Sequence, residues 1–311
     1  MLVVCGPLLV EAMRYCNALI RAAVLASVGA MFVGCSSNVE LGPVANADSV
    51  AAIRKSLEAG KAEGGETAAA VTGTGWATLK GQFVFDGAAP AMKPYDVTKE
   101  HEICTVNGKA PVQETLVVAP GTNGIKNVVV FLRDATRVNE SANPKSDQVV
   151  FDQKVCVFLT HVVGITVGQM LDIKNSDPTG HNTNILGSGF NQLIPAGGSI
   201  PYKVQKEVQV PSKVTCSIHP WMTAYMLARK NGYFAVTDAD GKFEIANVPA
   251  GEPLEFQVWH ESGAAPGNGL IGATAEAPDV KWSNRGRMGV TIQPDEVKEL
   301  KVLVPANAFR L

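Results

Sequence analysis

Charge, aromatic residues and long apolar runs are all scarce in this chain. Only 18 % of its 311 residues are charged, 6 % are aromatic, and the net charge at pH 7 is −2. That balance offers no basic surface for nucleic acid or for an anionic membrane. No internal repeat is visible, and low complexity is confined to the N-terminal quarter. Glycine (30) and proline (18) are plentiful instead. Such a composition suits many short strands joined by turns better than a helical bundle.

The most apolar N-terminal run, Ala22 to Val33, follows Arg14 and Arg21 and ends at Gly34-Cys35-Ser36. It falls short of the roughly 20 apolar residues that a membrane span needs. A positive start, an apolar middle and a small residue before the cut make a secretory signal. The segment resembles a bacterial lipoprotein signal, with Phe32 where leucine is usual. The resemblance implies that residues 1–34 are removed and that Cys35 carries lipid. An ordinary signal peptide cut nearby is the alternative, and Met13 is an alternative start. Either way the mature protein is exported. With lipid it faces the periplasm, anchored most simply in the outer membrane and touching the membrane through the lipid alone. Residues 35–74, rich in Ala, Gly, Ser and Glu, read as a tether with a short helix from Asp48 to Leu57.

Cysteine usage narrows the chemistry. Cys5 and Cys16 fall in the removed segment. That leaves Cys104, Cys156 and Cys216 besides Cys35. In an exported protein an even pair closes as a disulfide, and Cys104 with Cys156 is the natural pair. Cys216 is then the odd thiol, and a metal partner is the simplest reason to keep it.

From Thr74 onward the texture is that of short strands. Thr78–Asp86 alternates, Val128–Leu132 is continuously apolar, and Val149–Phe151, Val155–Phe158 and Val162–Lys174 follow. Asn175-Ser-Asp-Pro-Thr-Gly180 is a dense turn that delivers His181 and a strand to Leu186. Tyr202–Val210 and Lys213–Cys216 read as strands. Tyr233–Gly251, with its central Asp-Gly, reads as a hairpin. Leu254–Trp259, Val290–Gln293 and Glu299–Val304 complete the set. A β-sandwich architecture is the expectation.

The stretch Cys216-Ser-Ile-His219-Pro-Trp-Met222 carries the chemistry. A thiolate donor, an imidazole and a thioether share one short loop, and His181 precedes it on another strand. Two His, one Cys and a weak axial Met form the trigonal set of a blue-copper electron-transfer site. The alternative is a buried thiol beside a turn histidine, with Trp221 and Met222 as core.

On these residues the chain resembles the cupredoxins, and its short Cys-x-x-His-Pro-aromatic-Met form resembles the amicyanin ligand loop. The resemblance covers roughly residues 155 to 228. It implies a Greek-key β-sandwich over 75–228 that binds one type-1 copper. His181, Cys216 and His219 would be equatorial ligands and Met222 axial, with Met226 as fallback. Asn182 would steady the thiolate by hydrogen bonding across the loops. Residues 229–311 are similar to carboxypeptidase regulatory-like domains, small non-catalytic β-sandwiches. The whole also resembles exported bacterial proteins labelled methylamine-utilisation-like, a label that establishes no action on methylamine.

The fold class expected is therefore all-β, with a cupredoxin-like sandwich and a smaller second one. The expected function is electron transfer with a redox partner such as a cytochrome c, docked over Pro220 and Trp221. Copper storage or delivery, or envelope binding without redox, is the alternative, and enzymatic activity is not expected. His101 and His161 lack ligand-type neighbours in sequence, and His260 at a strand end reads as structural. Asp238-x-Asp240-Gly241 lacks the carboxylates of a calcium loop and reads as a turn.

Overall fold

The computed structural model describes residues 73–144 and 146–310. The expected signal segment, the expected lipidation site Cys35 and the expected tether helix lie outside these residues. Strands dominate and are arranged in four sheets. Among the described residues no helix is long and apolar enough to cross a membrane.

Two sheets enclose one core. The first contains β1 (Trp76–Asp86), β13 (Lys242–Pro249), β15 (Thr274–Ala275) and β18 (Val297–Pro305). The second contains β2 (Val129–Leu132), β12 (Phe234–Val236), β14 (Pro253–Trp259), β16 (Lys281–Trp282) and β17 (Arg287–Thr291). Alternation along β1 sends Leu79 and Phe83 inward, where they meet Val302, Val130, Phe256 and Val290. Two faces of period-two strands, each apolar on one side, bury that apolar side against one another.

The other two sheets enclose a second core. One contains β5 (Val162–Thr166), β7 (His181–Ile185), β8 (Phe190–Ile194), β10 (Ser212–Thr215) and β11 (Thr223–Arg229). Its companion contains β3 (Gln148–Lys154), β4 (Val157–Phe158), β6 (Met170–Asn175) and β9 (Ser199–Lys203). Phe151 and Ile173 pack here against Ile165, Val214 and Met226. A division at 228/229 follows chain order, but strand pairing does not. β1 pairs with β13 and β18, and β2 pairs with β12 and β14, so the sheets of the C-terminal strands also contain the first two strands.

A third cluster joins the two cores: Val129, Phe131 and Trp259 on one side, Val162 and Leu227 on the other. Arg229 is buried beside it. Its guanidinium donates to the carbonyls of Leu132 (3.0 Å), Arg133 (2.7 Å) and Val208 (3.1 Å) and lies 4.7 Å from the Phe131 ring centre.

Several local expectations change. The Asp238–Gly241 turn does not close a paired hairpin, because β12 pairs with β2 while β13 pairs with β1. It is a corner between sheets, pressed on Gly124, where a Cβ would lie 1.8 Å from the Asp240 carbonyl. The expected strand Tyr202–Val210 becomes Ser199–Lys203: the Val204 amide still donates in register to the Gln169 carbonyl (3.1 Å), but the Gln169 amide turns to the Thr166 carbonyl (3.1 Å) and the ladder ends there. Val155 and Cys156 form a left-handed turn between β3 and β4, with φ of 53° and 50°.

Candidate metal centre

β10 and β11 pair antiparallel from Ser212↔Met226 to Thr215↔Thr223, so Cys216–Met222 is the loop of a hairpin. The Met222 amide donates to the His219 carbonyl (2.9 Å), and the Cys216 amide donates to the Met222 carbonyl (3.4 Å). This folds the loop back on itself. Cys216, His219 and Met222 all become buried. Met226 is also buried but sits opposite Ser212, four residues along the strand from Met222 and so roughly 13 Å further up.

His181 enters from the adjacent strand. β7 pairs with β10 through Asn184↔Thr215 and Ile185↔Val214, which places its first residue beside the loop. The turn before it is organised by Asn175, whose side-chain amide donates to the carbonyls of Thr179 (2.7 Å), Ile194 (3.1 Å) and Pro195 (3.2 Å). The structure thus brings His181, Cys216 and His219 together, with one donor atom of each within 4.8 Å of the others. Ligands held about 2.0–2.3 Å from one ion have separations of this order.

The sulfur of Cys216 receives two backbone N–H groups, from Asn182 (3.3 Å) and His219 (3.4 Å). Burial opposes ionisation of the thiol. The hydrogen bond with His181 and the amides of His219, Asn182 and Ile218 outweigh it and lower the pKa. The Asn182 carboxamide accepts from the Ser217 amide (3.2 Å) and donates to Asn191 Oδ1 (2.8 Å) and the Gln192 carbonyl (3.1 Å). Its side chain therefore ties the Cys216 loop to β8.

Each imidazole is held from behind by a carboxylate. His181 Nε2 lies 2.7 Å from Asp177 Oδ2, and His219 Nε2 lies 2.9 Å from Glu100 Oε2. A carboxylate only accepts, so both Nε2 atoms carry a proton and both Nδ1 atoms are turned toward the pocket. Those Nδ1 atoms face each other across 2.9 Å. Two lone pairs at that distance repel unless a proton or a metal cation lies between them. For His181, burial favours the neutral ring, but Asp177 and Cys216 overcome it and push the pKa up to about 9. For His219, burial and the charge of His181 win over Glu100, and the pKa falls. The donor set, two imidazole nitrogens and one thiolate in a buried pocket, fits a soft or borderline transition metal.

Sequence reasoning missed Glu100 and Asp177. Glu100 lies far from the ligand loop and precedes a one-turn helix, α1 (His101–Cys104). In the sequence Asp177 reads only as a turn residue. Its position, one helical-turn spacing before His181, was the available signal. Cys104 and Cys156 form a disulfide with Cα atoms 4.9 Å apart. Pro220 is exposed, and Trp221 is half-buried with its ring centre 5.1 Å from that of His219. His101 is exposed. His161 is buried and paired through Nε2 with Glu261, apart from the centre. His260 is fully buried against Phe309. Asp238 Oδ1 accepts from the Asp240 and Lys242 amides, both at 2.9 Å, as a turn residue does.

No protein-family model and no curated protein matches the chain. Among solved structures, a mutant of amicyanin in the Cu(I) state aligns at 12 % identity and a TM-score of 0.25, covering 32 % of this chain and 98 % of that one. Amicyanin from Paracoccus versutus (Thiobacillus versutus) aligns at 17 % identity and a TM-score of 0.24, covering 32 % and 97 %. The Cu-containing nitrite reductase from Thermus scotoductus SA-01 aligns at 19 % identity and a TM-score of 0.24, covering 26 % and 22 %.

Proposed function

We propose that His181, Cys216 and His219 hold one copper ion as a type-1 centre, with Met222 as axial ligand, and that the protein transfers electrons. The observation that carries this reading is the convergence of two Nδ1 atoms, each ring fixed by a carboxylate behind it, with the Cys216 sulfur in one buried pocket. Copper would supply a one-electron couple, Cu(II)/Cu(I), at the centre. Cys216 would act as the thiolate, its charge stabilised by the Asn182 and His219 amides. Asp177 and Glu100 would hold the imidazoles in one tautomer and one orientation, so that little rearranges when charge changes. Complete burial of His181 and His219 would keep water from the ligands.

In this reading Pro220 and Trp221 form the face a redox partner such as a cytochrome c would meet, through a small transient interface. The partner's electron would pass by way of the loop that carries His219. The reading also takes the protein to be non-enzymatic, exported and lipid-anchored at Cys35, with the other sandwich a carboxypeptidase regulatory-like scaffold.

Addition of Cu(II) to the purified protein tests it. An intense visible thiolate-to-copper band should appear at one equivalent and vanish in Cys216→Ser. Absence of the band, or its survival in that variant, contradicts the type-1 assignment. A redox titration separates an electron carrier from a copper carrier, since only the first exchanges electrons reversibly with its copper retained.

A further inference from the structure

The two carboxylates behind the imidazoles come from distant parts of the chain, and one covalent bond joins those parts. Glu100 leads into α1, its carbonyl accepting the amides of Ile103 and Cys104 (both 2.9 Å). Asp177 accepts the amides of Val155 (2.7 Å) and Cys156 (2.8 Å) as well as His181 Nε2. The Cys104–Cys156 disulfide therefore links the support of His219 to the support of His181. Both half-cystines are fully buried, and their sulfurs lie within 4.8 Å of a ring nitrogen of His219. Trp221, against the His219 ring, donates through Nε1 to the Cys156 carbonyl (3.1 Å).

The backbone at both ends of this linkage is left-handed without glycine. φ is 51° at Glu100, 53° at Val155 and 50° at Cys156. For a β-branched residue such as Val155 this is a true outlier, and such strain persists only where the surroundings enforce it. Here the strained pair aims two successive N–H groups at one carboxylate, a nest for an anion. At Glu100 it turns the chain so that the carboxylate reaches His219 while α1 runs on to the disulfide.

We infer that the Cys104–Cys156 disulfide is a positioning element of the metal centre rather than a staple of the whole fold. It holds Glu100 and Asp177 at the imidazoles and so fixes both Nδ1 atoms toward the ion. The inference rests on the metal reading for its affinity consequence only. The tautomer consequence stands in the metal-free protein.

The test uses the full chain carrying Cys104→Ala with Cys156→Ala, and a second variant with serine at both positions, which changes volume less. In metal-free protein, the ¹⁵N shifts of the His219 ring should move from one Nε2–H tautomer toward an average. Copper affinity, measured by chelator competition, should fall ten- to a hundredfold, the usual cost of losing outer support for a ligand. Glu100→Ala should weaken binding in the native background but add little once the disulfide is gone, because both act through His219. Three results overturn the inference. They are unchanged tautomers and affinity in a folded variant, full additivity with Glu100→Ala, and loss of the fold in both variants, which would make the bond a fold-wide staple. A gain in affinity through freed side chains is not available to the alanine variant. If the native protein takes up no copper, the metal reading fails, while the tautomer measurement still decides the role of the disulfide.

Discussion

Nδ1 of His181 and Nδ1 of His219 lie 2.9 Å apart, each ring locked from behind by its own acid. The arrangement makes the acids as important as the rings. Asp177→Asn should lower copper affinity about ten- to a hundredfold, measured by chelator competition, because its NH2 would face a donor, either the Val155 N–H or those of Cys156 and His181, in place of an accepting oxygen. Glu100→Gln should cost less, since Glu100 is more exposed than Asp177 and the amide oxygen of glutamine can still accept from His219 Nε2.

Asn182 should matter to the colour of the centre as well as to its stability. Asn182→Ala removes the acceptor of the Ser217 amide and both bonds to β8. The fold should lose about 1–3 kcal/mol in denaturant titration. The thiolate-to-copper band should shift or weaken because the Cys216 loop is no longer fixed.

His260 predicts an acid limb in the stability profile. Its Nδ1 accepts the Ser262 amide (3.2 Å), its Nε2 has no hydrogen bond of normal geometry, and the ring is fully buried. Burial drives the pKa down to about 3, with His161 adding to the effect and the Lys126 carbonyl opposing it. The unfolded chain takes up a proton near pH 6.5, whereas the folded one does not until about pH 3. Stability is thus complete above about pH 6.5 and drains away as pH falls toward 3, by a few kcal/mol at most. Urea titrations at pH 7.5 and pH 4.5 should show this loss, and His260→Asn should flatten the difference.

Gly164 on β5 lies against Phe234 of the other sandwich. A Cβ there would meet the Phe234 ring at 2.4 Å, and an aromatic ring cannot fold away as a flexible chain does. Gly164→Ala should destabilise by about 1–3 kcal/mol in thermal or urea unfolding while leaving the metal centre spectroscopically unchanged.

Much of the local pattern could be read directly. β1 and β2 follow from alternation and from a continuous apolar run, because burial on one or two faces writes itself into residue order. β8 does not, since its middle residues Asn191, Gln192 and Leu193 are exposed and show no period. The partners of β1 and β12 were hidden as well, because sheet membership depends on contacts distant in sequence. At the centre, His181, Cys216 and His219 stand out by residue type and spacing. Glu100 does not, because a carboxylate on an irregular segment has no local signature. Its meaning appears only when the chain brings it 2.9 Å from a buried ring.

The most direct test of the account is X-ray absorption at the copper edge on protein loaded with one equivalent. The account predicts one short sulfur scatterer from Cys216 and two imidazole nitrogens, with the sulfur lost in Cys216→Ser and one imidazole lost in His181→Ala. A first shell of nitrogen and oxygen alone in the native protein would contradict it.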